Sequence, residues 1–218
     1  MPAEGLDREV AGQKWHFPSR TECMVCHSRA ANFVLGLSEL QMNKPHDYGG
    51  VVDNQIRVLE HLGMLKVDYK APAKADQRQA TSTSLLTKPP AQYRSLPNPY
   101  GDSQPVDVRA RSYLHVNCAS CHIEAGGGNA QMNLEYTASL EKMKVIDMPP
   151  LHHQFGLDRA RLIAPGHPER SVLLYRMAHR GEGSGQMPQL ASNRADDQAV
   201  KLIEAWIRSL KVRDQHEP

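Results

Sequence analysis

A five-residue pattern occurs twice in this chain of 218 residues, and it constrains the fold and the chemistry more than any other feature. In each copy two cysteines enclose two other residues, and a histidine follows the second cysteine directly. All four cysteines of the chain belong to these patterns. With Cys and His each at about 2% of residues, one such pattern has chance odds of ~10⁻⁵ per position. The two copies are Cys23-Met24-Val25-Cys26-His27 and Cys118-Ala119-Ser120-Cys121-His122.

This spacing suits the covalent attachment of haem c. Two thiols three positions apart can add to the two vinyl groups on one edge of a porphyrin, and the next residue then lies beneath the iron, where histidine supplies an imidazole ligand. The patterns therefore predict two covalently bound haem c groups. The predicted attachment residues are Cys23, Cys26, Cys118 and Cys121, and the predicted proximal iron ligands are His27 and His122.

Three other uses of paired cysteines explain the patterns less well. A structural zinc site favours pairs separated by about 15–20 residues, whereas residues 27–117, 91 in all, lie between these two pairs. A thioredoxin-like redox pair favours a strand just before it, but the segment from Asp107 to Asn117 predicts a helix. Disulfides within each pair would explain neither histidine.

Patterning along the chain predicts a mostly α fold with two small cytochrome c-like haem units. Residues 14–70 form the first unit, in which Asn54 caps a helix that Gly63 ends. Residues 71–105 are rich in Pro, Ala, Ser, Thr, Gln and Asn, and they predict a linker or a wrapping segment. Residues 106–212 form the second unit, with the order helix, haem pattern, loops, methionine turn and final helix of a class I-like cytochrome c domain. The apolar face of the Asn54-capped helix comprises Ile56, Leu59 and Leu62.

The final helix has the clearest periodicity in the chain. Asp196 or Asp197 caps its start, and Arg208 and Lys211 lie near its end, where positive charge is favourable with the helix dipole. Its residues on one face are apolar at helical spacing, which predicts an amphipathic helix on a core. That face comprises Ala199, Ile203, Trp206, Ile207 and Leu210.

Three consecutive glycines, Gly126-Gly127-Gly128, follow the second pattern. They lack the Lys-Ser/Thr sequence of a phosphate-binding loop. We interpret them as a tight turn beside the haem edge.

Met187 is the predicted sixth ligand of the second haem. It lies in a glycine-rich turn between the second pattern and the final helix, and Pro188 fixes the backbone directly after it. Such polar surroundings are unsuitable for a methionine that fills a core, whereas a thioether ligand favours ferrous iron. Met177, on the face of a predicted helix, is interpreted as a core residue instead.

The sixth ligand of the first haem is left open by the sequence. Met42 and His46 are the preferred candidates, although neither lies in a turn as distinctive as that of Met187. An unligated or water-ligated iron would make this haem a reactive site. The further candidates are His16, His61, Met64, His115, His152 and His153.

Charge and hydropathy argue against two classes of partner. Lysine and arginine exceed aspartate and glutamate by 26 − 24 = 2, and the basic residues are scattered, which does not indicate a nucleic-acid partner. No stretch approaches the ~18 apolar residues of a membrane span. Because haem c is attached outside the bacterial cytoplasm, we expect a periplasmic or other extracytoplasmic location, with a signal peptide or preceding domain not present in this chain.

Further short segments, taken with the two patterns, resemble one family. They are Trp15-His16-Phe17-Pro18-Ser19-Arg20, Val34-Leu35-Gly36-Leu37, Gln41-Met42-Asn43, Asn54-Gln55, Arg109-Ala110-Arg111-Ser112-Tyr113-Leu114 with Asn117, Pro165-Gly166 with Ser171, Met187-Pro188 and Trp206-Ile207. Over roughly residues 15–210 the chain resembles bacterial dihaem c-type cytochromes common in planctomycetes and their relatives. Members are often fused to, or encoded beside, sugar dehydrogenases and other redox enzymes, and often carry a further N-terminal domain. The resemblance implies covalent haem c, an extracytoplasmic location and electron transfer.

Together these expectations describe an electron carrier rather than an enzyme. The chain is expected to take electrons one at a time from a redox enzyme, with a sugar dehydrogenase as a candidate donor, and to pass them to a downstream acceptor. Two alternatives, a dihaem peroxidase-like enzyme and a haem-based sensor, each require one open iron site.

Overall fold

In a computed structural model of the chain, the described residues are 3–65, 92–181, 183–190 and 192–211. They form two compact units. The first contains residues 3–35 together with the described residues from 97 to 211, and the second contains residues 36–65 with 92–96. Both cysteine patterns therefore belong to the first unit. The predicted haem-unit boundaries, 14–70 and 106–212, stay a prediction, and much of the predicted linker at 71–105 lies outside the described residues.

The first unit begins with an antiparallel hairpin of strands β1, Leu6–Val10, and β2, Gln13–Phe17. Its two turn residues, Ala11 and Gly12, both have positive φ, at 52° and 74°. Two-residue hairpin loops with left-handed backbone match the right-handed twist of the strands that they join. The hairpin leads directly to the first cysteine pattern.

Helix α1, Arg20–Cys26, carries the first two cysteines. A reciprocal capping box fixes its start, because Ser19 Oγ accepts the Glu22 N–H at 3.2 Å and the Glu22 carboxylate accepts the Ser19 N–H at 2.7 Å. Both N–H groups would otherwise lack a partner within the helix. The position of Cys23 is therefore fixed by a well-defined helix start.

The remaining helices of the first unit are α4, Val106–Cys118, α5, Val172–Ala178, and α6, Asp197–Ser209, with a 3₁₀ turn, Pro168–Arg170, before α5. Helices α4 and α5 both contact α6. The side chains between them are aliphatic apart from one tryptophan and two methionines, and burying a large apolar side chain contributes about 1.5–3 kcal/mol. The core comprises Ala110, Leu114, Ala119, Leu134, Ala138, Met143, Val145, Ile163, Met177, Ala199, Leu202, Ile203, Trp206 and Ile207.

The predictions for these helices are confirmed. Asp196 caps α6, since its carboxylate accepts the Ala199 N–H at 3.0 Å. Trp206 and Ile207 are fully buried on the predicted face, and Met177 is a core residue. The helix expected before the second pattern is α4.

A buried serine organises the loop before α5. Ser171 Oγ accepts the Ala164 N–H at 2.9 Å and donates to the His167 carbonyl at 3.0 Å. Gly166, with φ of 75°, donates its N–H to the Ile207 carbonyl at 2.9 Å. The bond from Gly166 fastens the loop to α6, and those of Ser171 fix its shape.

The second unit is a small α+β arrangement. Its elements are α2, Glu39–Met42, β3, Pro45–Asp47, β4, Val52–Asn54, and α3, Gln55–His61. Strands β3 and β4 pair antiparallel, and Asn54 caps α3 by accepting the Ile56 N–H at 3.0 Å. The predicted cap is confirmed, but Leu62 does not complete the apolar face. Leu62 is the C-cap of α3 and is 62% exposed, because the helix ends one residue earlier.

Two asparagines hold the second unit together. The buried Asn43 donates through Nδ2 to the carbonyl oxygens of Tyr93 and Arg94, at 3.0 and 3.2 Å, and accepts a bond from Asn54 Nδ2 at 2.8 Å. A buried amide is stabilising only when its donors and acceptor are partnered. Asn43 and Asn54 therefore join α2, α3 and the segment 92–96. Among all the described residues, no helix is long and apolar enough to cross a membrane.

Candidate functional site

The two cysteine patterns are closed by the same backbone bond. The His27 N–H donates to the Cys23 carbonyl at 2.9 Å, and the His122 N–H donates to the Cys118 carbonyl, also at 2.9 Å. These are the i to i−4 bonds of an α-helix, and they bring residues i, i+3 and i+4 to one side of the backbone. Each turn therefore presents two thiols and one imidazole toward the same side.

The imidazole of His27 is oriented by a backbone carbonyl. Its Nδ1 lies 2.6 Å from the Phe33 oxygen, which can only accept, so Nδ1 is the donor, and in the neutral ring Nε2 holds the lone pair. Asn32 and Phe33 both have positive φ, at 58° and 60°, and the Phe33 N–H donates to the Ser28 carbonyl at 2.9 Å. This curved loop places the Phe33 carbonyl beside the His27 ring. Metal-binding histidines generally have their other nitrogen held in this way.

The imidazole of His122 lies in a different environment. Burial first, and the positive charge of Arg176 second, lower the pKa of His122 below its usual value. The ring is therefore neutral, as an iron ligand must be. Its Nδ1 is buried, and among the described residues it has no hydrogen-bond partner. An unpartnered buried nitrogen is costly, and the Nδ1 bond that orients His27 has no counterpart at His122 among the described residues.

The four cysteines carry free thiols, and one thiol of the first pattern contacts one thiol of the second. Cys26 Sγ lies 2.9 Å from Cys121 Sγ. Burial raises the pKa of Cys118 to about 12, and burial together with the hydrogen bond to Cys121 raises the pKa of Cys26 to about 12. Both groups are therefore neutral thiols near neutral pH.

Met187 is fastened to the end of α5. Its N–H donates to the Arg176 carbonyl at 3.0 Å, and Arg176 Nε donates to the Gly185 carbonyl at 2.5 Å. Gly185 has φ of 62°, and a Cβ there would lie 2.5 Å from the Phe155 ring. Hydrogen bonds thus link the methionine turn to Arg176, whose charge lowers the pKa of His122.

A cleft of about 200 Å³ lies beside this turn. Its walls are mainly apolar, and Lys144 and Arg176 add positive charge. Burial lowers the pKa of Arg176, whose guanidinium lies 5.6 Å from the centre of the Phe155 ring. Apolar walls with a few cations suit a flat apolar group that bears anionic substituents. The lining residues include Met132, Met148, Phe155, Leu162, Val172 and Arg176.

The preferred sixth ligands of the first haem lie in the second unit. Met42 ends α2, and His46 is an exposed residue of β3 whose ring contacts Tyr48 edge-on at 4.7 Å. His27 belongs to the first unit. Met42 and His46 therefore stay predictions as ligands.

Two of the other histidine candidates have hydrogen-bond partners within the protein. His16 uses both ring nitrogens, with Nδ1 at 2.7 Å from Asp7 and Nε2 at 3.0 Å from Glu22. His115 Nδ1 accepts the Tyr136 N–H at 3.2 Å. In this arrangement neither nitrogen of His16 is free to bind iron.

Comparison with known families gives one match. The cytochrome c family model matches residues 110–211, which contain the second cysteine pattern, Met187 and α6. The comparison with curated proteins gives no match. The comparison with solved structures gives none either.

Residues 110–211 therefore resemble a cytochrome c domain. A domain of this class holds haem c through its two cysteines and a histidine, and the residues here fit that group: Cys118, Cys121 and His122 share one side of a turn.

Sequence reasoning missed three groups at this site. The Phe33 carbonyl had no detectable sequence pattern, because every residue carries the same backbone oxygen. Arg176 lies in an apolar helix segment without a recognisable motif. The glycines Gly126-Gly127-Gly128 did give a pattern, although their close contacts were not foreseen.

Proposed function

We propose that the chain is a dihaem c-type cytochrome that carries electrons between a redox enzyme and a downstream acceptor. The supporting observation is a bond that the two cysteine patterns share, since each is closed by a histidine-to-cysteine backbone bond of 2.9 Å. The family match includes only the turn at Cys118. The turn at Cys23 presents the same three groups, which supports a second attachment site there.

The state of His27 also supports a second site. A histidine that binds no ligand does not require a fixed hydrogen bond at one ring nitrogen. Here the 2.6 Å bond from Nδ1 to the Phe33 carbonyl leaves Nε2 as the ligand nitrogen. His27 is the proposed proximal ligand of the first haem, with Met42 or His46 as its proposed sixth ligand.

Met187 is the proposed sixth ligand at the second haem. The support is indirect but specific, since Met187 is bonded to Arg176, and the charge of Arg176 acts on His122. Haem iron supplies one-electron chemistry when it is bound, alternating between ferrous and ferric states. Methionine as a second protein ligand would raise the potential of such an iron.

The proposed location is periplasmic or otherwise extracytoplasmic, and the proposed partners are redox proteins. The support is the resemblance to cytochromes that occur with sugar dehydrogenases. A dehydrogenase of this kind would deliver electrons singly to the chain, and a second redox protein would accept them.

Haem quantification tests the proposal on protein from a host that matures c-type cytochromes. We expect two covalent haems per chain. The double variant Cys23→Ala/Cys26→Ala and the double variant Cys118→Ala/Cys121→Ala should each retain one. Met24→Ala, which changes an exposed residue between the first two cysteines, is the matched control and should retain two. One haem in the unmodified chain would contradict the dihaem proposal.

Carbon monoxide distinguishes a carrier from the two alternatives. In a carrier both irons have two protein ligands, so the reduced spectrum should not change when carbon monoxide is added. A peroxidase-like enzyme or a sensor keeps one open position. A carbon-monoxide-reactive fraction that approaches half of the haem would favour those functions instead.

A further inference from the structure

The two cysteine patterns touch each other within the first unit. Cys26 Sγ lies 2.9 Å from Cys121 Sγ, and Cys121 Sγ lies 3.6 Å from the Val25 carbonyl oxygen. Cys26 and Cys121 hold the same place in their patterns, since each is the second cysteine. The residues that would form one thioether of each haem are therefore neighbours, although 95 positions separate them in the sequence.

The glycine segment after the second pattern permits this contact. A Cβ on Gly127 would overlap the Val25 carbonyl, and a Cβ on Gly126 would lie 2.5 Å from the Cys121 carbonyl. A Cβ on Gly128 would lie 2.7 Å from His122 Nδ1. None of the three has a left-handed backbone. Glycine is needed here for close approach rather than for an unusual conformation.

From these contacts we infer that the chain holds its two haems next to each other as an adjacent pair. Cys26 of one attachment site contacts Cys121 of the other. This inference rests on the proposed function, because it requires a haem on each pattern. With both haems bound, such a pair would allow one-electron exchange within the chain, in which one iron would be oxidised as the other is reduced. The step needs no proton and no further reactant. Gly127 sets the spacing of the pair by allowing the second pattern to lie against Val25.

The primary test is electron paramagnetic resonance of the unmodified holoprotein during a redox titration. In an adjacent pair each ferric low-spin iron broadens the lines of the other. Reduction of one iron to the diamagnetic ferrous state should therefore narrow and shift the lines of the iron that remains ferric. Lines that keep their shape through the titration would overturn the pair. One haem per chain would overturn the dihaem function and the pair together, so the two failures are distinguishable.

A variant pair tests the role of the glycine segment. Gly127→Ala should weaken the mutual broadening, because the new Cβ forces the second pattern away from Val25. Gly101→Ala is the matched control, since its Cβ would lie 3.6 Å from the nearest atom and its backbone is not left-handed. The control should keep the coupling of the unmodified protein. Equal coupling in both variants, at two haems per chain, would overturn the role assigned to Gly127.

Discussion

The Met187 N–H donates to the carbonyl oxygen of Arg176 at 3.0 Å, so the methionine turn is bonded to the helix residue whose charge acts on His122. Backbone bonds of this kind do not depend on the identity of the side chain. A substitution at Met187 should therefore leave the turn in place and change only the group that it presents. This makes the position suitable for a ligand exchange.

Met187→His should lower the midpoint potential of the second haem, because imidazole stabilises ferric iron relative to a thioether. Met187→Ala should remove the charge-transfer absorption of methionine-ligated ferric haem and open the iron to carbon monoxide. Redox titration and absorption spectra measure both effects. Met177→Leu is the control, as Met177 is a buried core residue and a swap of similar volume costs less than about 1.5 kcal/mol. Unchanged potential and absorption in Met187→His would rule out Met187 as a ligand.

The contact between Cys26 and Cys121 predicts a specific product in protein made without haem attachment. Their sulfur atoms lie 2.9 Å apart, and a disulfide requires about 2.05 Å, so little movement is needed. With oxidised glutathione, the two thiols should form a disulfide while glutathione is reduced. This disulfide would take one thiol from each pattern and prevent normal attachment at both.

Peptide mapping by mass spectrometry of the apoprotein checks that product. The peptide that contains Cys26 should be linked to the one that contains Cys121, and Cys121→Ser should remove the link. Disulfides found only within each pattern, between Cys23 and Cys26 or between Cys118 and Cys121, would contradict the prediction.

The helices around the second pattern were predictable because their information is local. The α6 sequence combines a capping aspartate with apolar residues at helical spacing, and both features act within one or two turns. Trp206 and Ile207 are buried because α6 packs on α4 and α5. The predicted order of helix, cysteine pattern and final helix is the order of the elements in the structure, and the family match covers residues 110–211.

The remaining features depend on contacts that a single sequence does not encode visibly. The β1 and β2 hairpin has exposed residues on both faces, so it lacks the alternation that predicts a strand. The Phe33 carbonyl is a backbone group, and its position depends on the left-handed residues Asn32 and Phe33. The contact of Cys26 with Cys121 joins residues far apart in the chain. The glycines at 126–128 were recognised, but as a turn rather than as a close approach to Val25.

Ser171→Ala should lower the free energy of unfolding by about 1–3 kcal/mol, because the buried Ala164 N–H would lose its acceptor. Thermal or denaturant unfolding of the holoprotein measures the change. Ser103→Ala, at an exposed position, should have an effect within about 0.5 kcal/mol. Similar losses in the two variants would show that the Ser171 hydroxyl does not fix the loop before α5.

The stability of the structure at the start of α1 should depend on pH, because the His16 ring lies between Asp7 and Glu22. The hydrogen bond to Asp7 first, and that to Glu22 second, raise the pKa of His16, while the pKa values of both carboxyl groups are lowered. The histidine contribution to stability is therefore complete below the unfolded-state pKa of histidine and is lost as pH rises through the folded pKa. The carboxylate contributions are lost in the opposite direction, as pH falls through their folded pKa values.

Proton NMR of the reduced protein should give a His16 pKa above the ordinary value, and Asp7→Asn should return it toward that value. The exposed Asp102→Asn variant should leave the titration unchanged, and an equal shift in both variants would show that Asp7 does not hold the His16 charge.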